Sequence, residues 1–314
     1  MTQESRLRGI SPFAKRLGRQ IQKLAQNRED VLLSGESGTG RRTIALDIHN
    51  ERGKKRPFVL LDASSAADVE LRAVFTGADA DMVQTMTGRR PASLADQATL
   101  TIAEADKLVP HNQTMLVSFL KEGRKKFTGL KIIISIEEPI ERLAQSGALS
   151  LELVGYLEKF ERIEVPALRD RLEDIPALSV SIMKQLSVSL GSSVKEIDEN
   201  TIHILSQGQW PGNIRQLAGV LGKGIMISHG DKVVLPGDFL NEHQHLEDAI
   251  GNITSGKVFV LDQTLDLIEK LLIQRGLKQF MYNQSKTAQI FGLSEANFRY
   301  RLKKFGLPSI RKKV

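Results

Sequence analysis

The chain contains no cysteine, which excludes disulfides, thiol catalysis and cysteine-ligated zinc or iron–sulfur sites. No run is apolar enough to span a membrane. Residues 1–19 are charged and interrupted by Gly9 and Pro12, so they do not read as a secretory leader. Together these absences point to a cytoplasmic protein. The six histidines show no ligand spacing. His243 and His245 stand two apart in a polar stretch, and no metal site is expected. No serine, cysteine or carboxylate arrangement suggests a hydrolase triad, and there is neither an internal repeat nor a low-complexity tract.

What is present is ordinary globular composition, 41% hydrophobic and 26% charged over 314 residues, enough for two or three packed domains. The formal net charge is +7. Seven basic residues and no acid fall between position 299 and the last residue: Arg299, Arg301, Lys303, Lys304, Arg311, Lys312 and Lys313. The other Lys and Arg residues match the 37 acids one for one, so the whole excess sits in this last segment. A basic terminus is commonly a solvated tail. Here Tyr300, Leu302 and Phe305 are interleaved with the charges, which fits a structured polyanion-binding surface.

Short apolar runs beginning at Val31, Phe58, Leu100 and Lys131 read as buried strands, with helical spacing between them, as over residues 112–122. That alternation predicts an α/β domain, a parallel sheet with helices on both faces. From about Leu172 to Phe239 helical spacing replaces the strands. Residues 241–257 are polar, hold Gly251 and Gly256, and read as a linker. The predicted division is an α/β core over 1–168, a small helical domain over 169–240, a linker over 241–258 and an all-α domain over 259–314.

Near the C-terminus, Asn283 is placed to cap a helix from Gln284 to about Phe291, with Ala288 small enough for a second helix to cross closely. Gly292 supplies a turn, Leu293 plugs the corner, and Ser294 caps a second helix over 295–305. Phe298, Leu302 and Phe305 form its buried stripe. This is the layout of a helix-turn-helix, and double-stranded DNA is the expected partner. Glu295, Ala296, Asn297, Arg299 and Tyr300, with Ser285 and Ser294 beside them, are placed to meet DNA. Arg301, Lys303 and Lys304 are better placed for phosphates. The bland alternative is an ordinary helical hairpin. A preceding helix over 261–280 carries Leu261, Leu265, Ile268 and Leu272 near one face, a candidate dimer contact.

After the first strand comes Gly35-Glu36-Ser37-Gly38-Thr39-Gly40-Arg41-Arg42, with the spacing of a phosphate-binding loop. Glycines let backbone N–H groups curl around phosphate at the start of a helix whose dipole favours anions. The usual lysine is Arg41, and the usual magnesium-holding hydroxyl is Arg42. The competing interpretation is a glycine-rich turn that binds nothing.

Several stretches, in order, resemble the AAA+ activators of sigma-54 RNA polymerase, the bacterial enhancer-binding proteins: the phosphate loop, Gly9-Ile10-Ser11-Pro12 at the domain start, residues 94–100 before the third strand, residues 165–176 entering a helical lid, and Trp210-Pro211-Gly212-Asn213-Ile214-Arg215 as the sensor II motif. The last helices resemble that family's Fis-type DNA-binding domain. The resemblance covers nearly the whole chain. It implies an AAA+ core with a small helical lid and a Fis-type domain, and ATP or ADP held by the phosphate loop, with Arg215 as the nucleotide-sensing arginine. It also implies self-association as a dimer or ring, and contact with an RNA polymerase sigma factor or an intact homologue. No regulatory domain is expected before Gly9.

The chain also departs from that pattern. The family's paired acids after the third strand are Ala103 and Glu104, so the metal-supporting carboxylate is lost and magnesium is expected to be poorly held. Glu104 stays as the candidate catalytic acid. The sensor I position is Glu137, an acid facing phosphates. No Lys or Arg lies between Arg142 and Lys159, where the family carries arginine fingers; the matching positions are Ser150 and Tyr156. Phosphoryl transfer rests on such charges, so little or no ATP hydrolysis is expected. Only Phe75-Thr76-Gly77-Ala78 persists of the six-residue sigma-54 contact motif, either as a relic or as a surviving protein contact. Two functions from different classes stand side by side: a DNA-binding regulator with a degenerate AAA+ domain, and an enzyme, a sigma-54 activator that hydrolyses ATP with Arg41 and Glu104. A third is an interaction module whose terminal motif binds no DNA.

Overall fold

The computed structural model describes residues 9–66, 68–76, 94–228, 230–235, 265–266, 269–270, 272–274, 276–277, 280 and 282–307. The chain separates into two units, Met1–Leu235 and Pro236–Val314. Gly77, Ala78, the predicted linker, Leu261, Ile268 and the basic residues from Arg311 onward lie outside the described residues.

The first unit is built on five parallel strands: β1 (Val31–Ser34), β2 (Phe58–Asp62), β3 (Thr99–Ala103), β4 (Lys131–Ile136) and β5 (Glu161–Glu164). Their order is β2-β3-β4-β1-β5, with Val31 opposite Ile133 on one side and Glu161 on the other. Every position of β3 and β4 is buried, which is why they read as continuous apolar runs. The fifth strand escaped the sequence pattern. In Glu161-Arg162-Ile163-Glu164 only Ile163 is buried, so an edge strand with one apolar residue leaves no recognisable run.

Helices cover both faces. On one, α1 (Pro12–Gln26) and α2 (Arg41–Gly53) bury Leu17, Ile21, Leu24, Ile44 and Ile48 against Val31, Leu33 and Ile133. Ser11 caps α1, its Oγ accepting from Ala14 N at 3.0 Å, with Pro12 in the first helical position. On the other face lie α3 (Asp68–Thr76), α4 (Pro110–Lys121), α5 (Ile140–Gln145) and α6 (Leu151–Leu157). Lys131 opens β4 almost fully buried, its Nζ donating to Leu24 O at 2.7 Å, Asn27 Oδ1 at 3.1 Å and Glu29 O. Burial pulls its pKa down to about 8.

The helical part comprises α7 (Ile175–Leu190), α8 (Glu199–Ser206) and α9 (Asn213–Ile227), with α7 packed on the other two. Trp210 anchors it: the indole is buried and Nε1 donates to Leu205 O at 2.9 Å. The expectation that strands stop near Leu172 needs one correction. Two-residue strands β6 (Glu196–Ile197) and β7 (Lys232–Val233) pair in parallel, too short to show a period in sequence.

In the second unit, α10 (Gln284–Ile290) and α11 (Glu295–Lys304) pack on helical residues before them. Ile273, Leu277, Ala288, Phe298 and Leu302 are buried together, with Phe291, Leu293 and Phe305 partly buried around them. Among the described residues no helix is long and apolar enough to cross a membrane.

Candidate functional site

The phosphate loop leaves the C-terminal end of β1, a place where open α/β sheets present ligands. Gly38 and Gly40 take φ of 79° and 102°, values that side-chain-bearing residues rarely adopt, and so turn the chain into α2. No side chain caps α2, which leaves its first N–H groups open to an anion.

The loop is held from several sides. Glu36 forms a two-pronged pair with Arg169, at 2.5 and 2.9 Å, which holds its carboxyl below the ordinary range. Thr39 is buried; its Oγ1 donates to Glu36 O at 2.7 Å, and its own carbonyl accepts from Arg171 Nη2 at 2.9 Å. Arg215, on α9, donates to Ser37 Oγ at 3.1 Å, so the predicted sensor arginine does reach the loop. Asn213 is the residue that sequence reasoning passed over. It is fully buried at φ 52°; its Oδ1 accepts from Leu168 N at 2.7 Å, and its Nδ2 donates to Glu36 Oε2 at 3.1 Å and Ser37 O at 3.0 Å. One amide thus ties the loop, the segment after β5 and the helical part together. Its place inside the Trp210–Arg215 motif was the available signal.

Beside the loop, Gly38, Gly40, Arg41, Arg42, Asp62, Ala103, Glu104 and Arg215 line a cleft of about 270 Å³. Arg41 is only 6% exposed. Its Nη2 lies 3.7 Å from Glu137 Oε1, and among the described residues its Nη1 has no hydrogen-bond partner. Burial draws its pKa below the usual guanidinium value, with Glu137 opposing that pull. Glu137 also meets Lys107 at 3.1 Å. Arg42 pairs with Asp62 at 2.5 Å. Glu104 follows β3 in a left-handed conformation, φ 57°, and is half-buried at the cleft.

The uncapped helix and the buried, unpartnered Arg41 nitrogen fit the phosphates of a nucleotide. Magnesium fits less well. Position 42 offers a guanidinium in place of a hydroxyl, and position 103 a methyl in place of a carboxylate. Of the two finger positions, Ser150 caps α6, its Oγ accepting from Leu153 N at 3.3 Å, and the Tyr156 ring sits 4.9 Å from Lys159 Nζ.

Of the contact-motif remnant, Phe75 lies inside α3, buried, with its ring centroid 5.5 Å from that of Phe119. The helix continues through Thr76, which is exposed.

In the second unit both predicted caps are in place. Asn283 Oδ1 accepts from Lys286 N at 3.0 Å, and Ser294 Oγ from Asn297 N at 3.3 Å. Gly292 makes the turn at φ 63°. Ser285, Ser294, Glu295, Ala296, Asn297, Arg299, Tyr300, Lys303 and Lys304 are all exposed. Glu295 accepts from Ser285 Oγ at 2.6 Å and from Arg299 Nη2 at 2.7 Å, which orients the arginine along the helix. Two residues expected at phosphates already have partners: Arg301 pairs with Glu269, and Lys304 with Asp266 at 2.6 Å. Their acids belong to the preceding helix, whose neighbourhood only the tertiary structure reveals.

Three family models match the chain: the sigma-54 interaction domain over residues 7–158, the AAA+ ATPase lid domain over 169–252 and the Fis-family bacterial regulatory protein model over 264–305. The response regulator PilR of Pseudomonas aeruginosa is 30% identical over 321 residues, covering 97% of this chain and 70% of its own. The transcriptional regulatory protein XylR of Pseudomonas putida is 28% identical, covering 98% of this chain and 58% of its own. The phenol regulator MopR of Acinetobacter guillouiae is 27% identical, and the chain spans just 54% of it. The chain thus spans between 54% and 70% of these relatives' lengths. Among solved structures, NtrX of Brucella abortus in complex with ATP superposes with TM-score 0.62 at 24% identity, over 96% of this chain and 69% of that one, a likeness of fold.

A parallel α/β domain with a phosphate loop and helical lid, followed by a helix-turn-helix, defines the class of AAA+ regulators with a Fis-type domain. Within it, the chain belongs to the sigma-54 interaction-domain family of bacterial regulators.

Proposed function

We propose that this chain is a DNA-binding transcription regulator whose AAA+ domain holds nucleotide but hydrolyses ATP slowly or not at all. The observation that carries this is the pairing of a well-formed, exposed α11 with a cleft whose charges face each other. Arg41 stands against Glu137, Arg42 against Asp62, and Ala103 occupies the metal-supporting position. Phosphoryl transfer depends on fixed positive charge around the terminal phosphate, and each missing element costs orders of magnitude. Gly35, Glu36, Ser37, Gly38, Thr39, Gly40, Arg41, Arg42 and Arg215 form the nucleotide site in this proposal. Glu36 acts there through its bond to Arg169.

DNA is read by Asn297, Arg299 and Tyr300 on the exposed side of α11, with Lys303 at phosphates. Self-association through the first half of the second unit is supported by Leu265 and Leu272, each 52% exposed on the preceding helix. Contact with a sigma factor follows from the family, but Phe75 cannot make it while buried under α4. A second possibility, a hydrolysing sigma-54 activator, is favoured by Glu104 at the cleft. Phosphate release from ATP, with magnesium and with and without DNA, separates the two. Background release is expected, and turnover comparable to an ordinary AAA+ activator overturns the proposal.

A further inference from the structure

The cleft beside the phosphate loop draws its positive charge from arginines. Arg41, Arg42 and Arg215 line it, against Asp62 and Glu104. A magnesium ion in such a site takes oxygen ligands from a loop hydroxyl, a carboxylate and the phosphates. Here the hydroxyl position is Arg42, the carboxylate position is Ala103, and Asp62 is bound to Arg42 and Ser64. Among the described residues no group of three or more His, Asp or Glu is arranged to hold a metal.

Opposed to this lack is an unmet demand. Arg41 is more than nine-tenths buried, lines the cleft and, among the described residues, finds no acceptor for Nη1. A buried charged donor without a partner is unfavourable, and a phosphate oxygen is the acceptor best matched to a guanidinium. The uncapped N–H groups of α2 add donors to the same place.

We propose that this cleft binds a nucleoside diphosphate without magnesium, the guanidinium groups of Arg41, Arg42 and Arg215 supplying the charge the metal ordinarily supplies, and that Glu137 rejects a third phosphate. The residue at position 41 of such a loop reaches the β- and γ-phosphates. Glu137 Oε1 lies 3.7 Å from its tip, and Lys107, bridging Glu137 and Asp106 at 3.1 and 3.3 Å, fixes that carboxylate in place. The charge of Arg41 is thus shared with Glu137, and Glu104 lines the same cleft, so the positive charge left over suits two phosphates better than three. Metal-free binding also removes the ion that hydrolysis needs, so the site serves as a sensor of diphosphate. The inference rests on the proposal that the loop holds nucleotide.

The test is calorimetric titration of the full chain with ADP and with ATP, each in excess magnesium and in EDTA. The expected result is an ADP Kd equal within about twofold in the two buffers, and ATP weaker by about tenfold or more. Glu137→Gln, which keeps shape and loses charge, is expected to narrow the ADP–ATP gap to about threefold or less. Arg41→Ala is expected to weaken ADP in EDTA by about tenfold, with circular-dichroism melting as the check on folding. Magnesium tightening ADP by about tenfold, or ATP binding as tightly as ADP, overturns the inference. Absence of binding by both nucleotides in both buffers also overturns it, while leaving DNA binding and the lack of hydrolysis to stand on their own assays.

Discussion

Arg299, Lys303 and Arg301 lie within five residues on α11, yet each is placed for a different job. Arg299 is 60% exposed and steered by Glu295 at 2.7 Å. A base contact from such a guanidinium is worth about 1–3 kcal/mol of discrimination, or roughly 5- to 150-fold in Kd on the preferred sequence. The Arg299–Glu295 pair is solvated on both sides, so Arg299→Ala is expected to leave folding unchanged. Lys303 is exposed and suited to a phosphate. Removing one phosphate contact lowers affinity on every sequence and reduces the slope of log K against log salt by about 0.9. Arg301 is only about one-third exposed and paired with Glu269, so Arg301→Ala is expected to lower the melting temperature and leave the salt slope intact.

Fluorescence anisotropy of the full chain reads all three. The duplexes are one selected from a random pool and a scrambled one, between about 50 and about 200 mM salt. Equal loss on both duplexes from Arg299→Ala refutes its role as a base reader. A salt slope that changes as much for Arg301→Ala as for Lys303→Ala refutes the assignment of Arg301 to the fold of the domain.

Two further expectations concern the first unit. Phe75→Ala should cost about 3–5 kcal/mol in urea unfolding, because it deletes a ring buried against Phe119; an unchanged midpoint would place Phe75 on an exposed loop after all. Lys131, with a folded pKa of about 8 against an ordinary 10.5, is charged in both states below pH 8, where its burial cost is fully present. As pH rises through that window the folded state releases its proton first, so unfolding takes one up and stability rises, by about 1 kcal/mol between about pH 7 and 9. Comparing urea midpoints of the parent and Lys131→Met across that range checks it; a rise of the same size in both excludes Lys131 as its source.

Much was legible in the chain itself. Runs such as Lys131–Ile136 must be interior strands, because a stretch buried on both faces has no polar side to show. Asn283, Gly292 and Ser294 fixed the helix-turn-helix locally, since caps and a left-handed turn need neighbours only a few residues away. Glycine spacing after β1 marked the phosphate loop, and the substitutions at positions 41, 42 and 103 were visible as letters. Tertiary structure decided what those letters do. Glu137 answers Arg41 because β4 lies beside β1; Arg169 and Asn213 close on Glu36 from 133 and 177 residues away. Phe75 enters the core because α3 lies on α4. Arg301 and Lys304 are paired because Glu269 and Asp266 come from another helix. Local signals set the elements and their ends, whereas charge pairing is a matter of distance in space, which sequence separation does not encode.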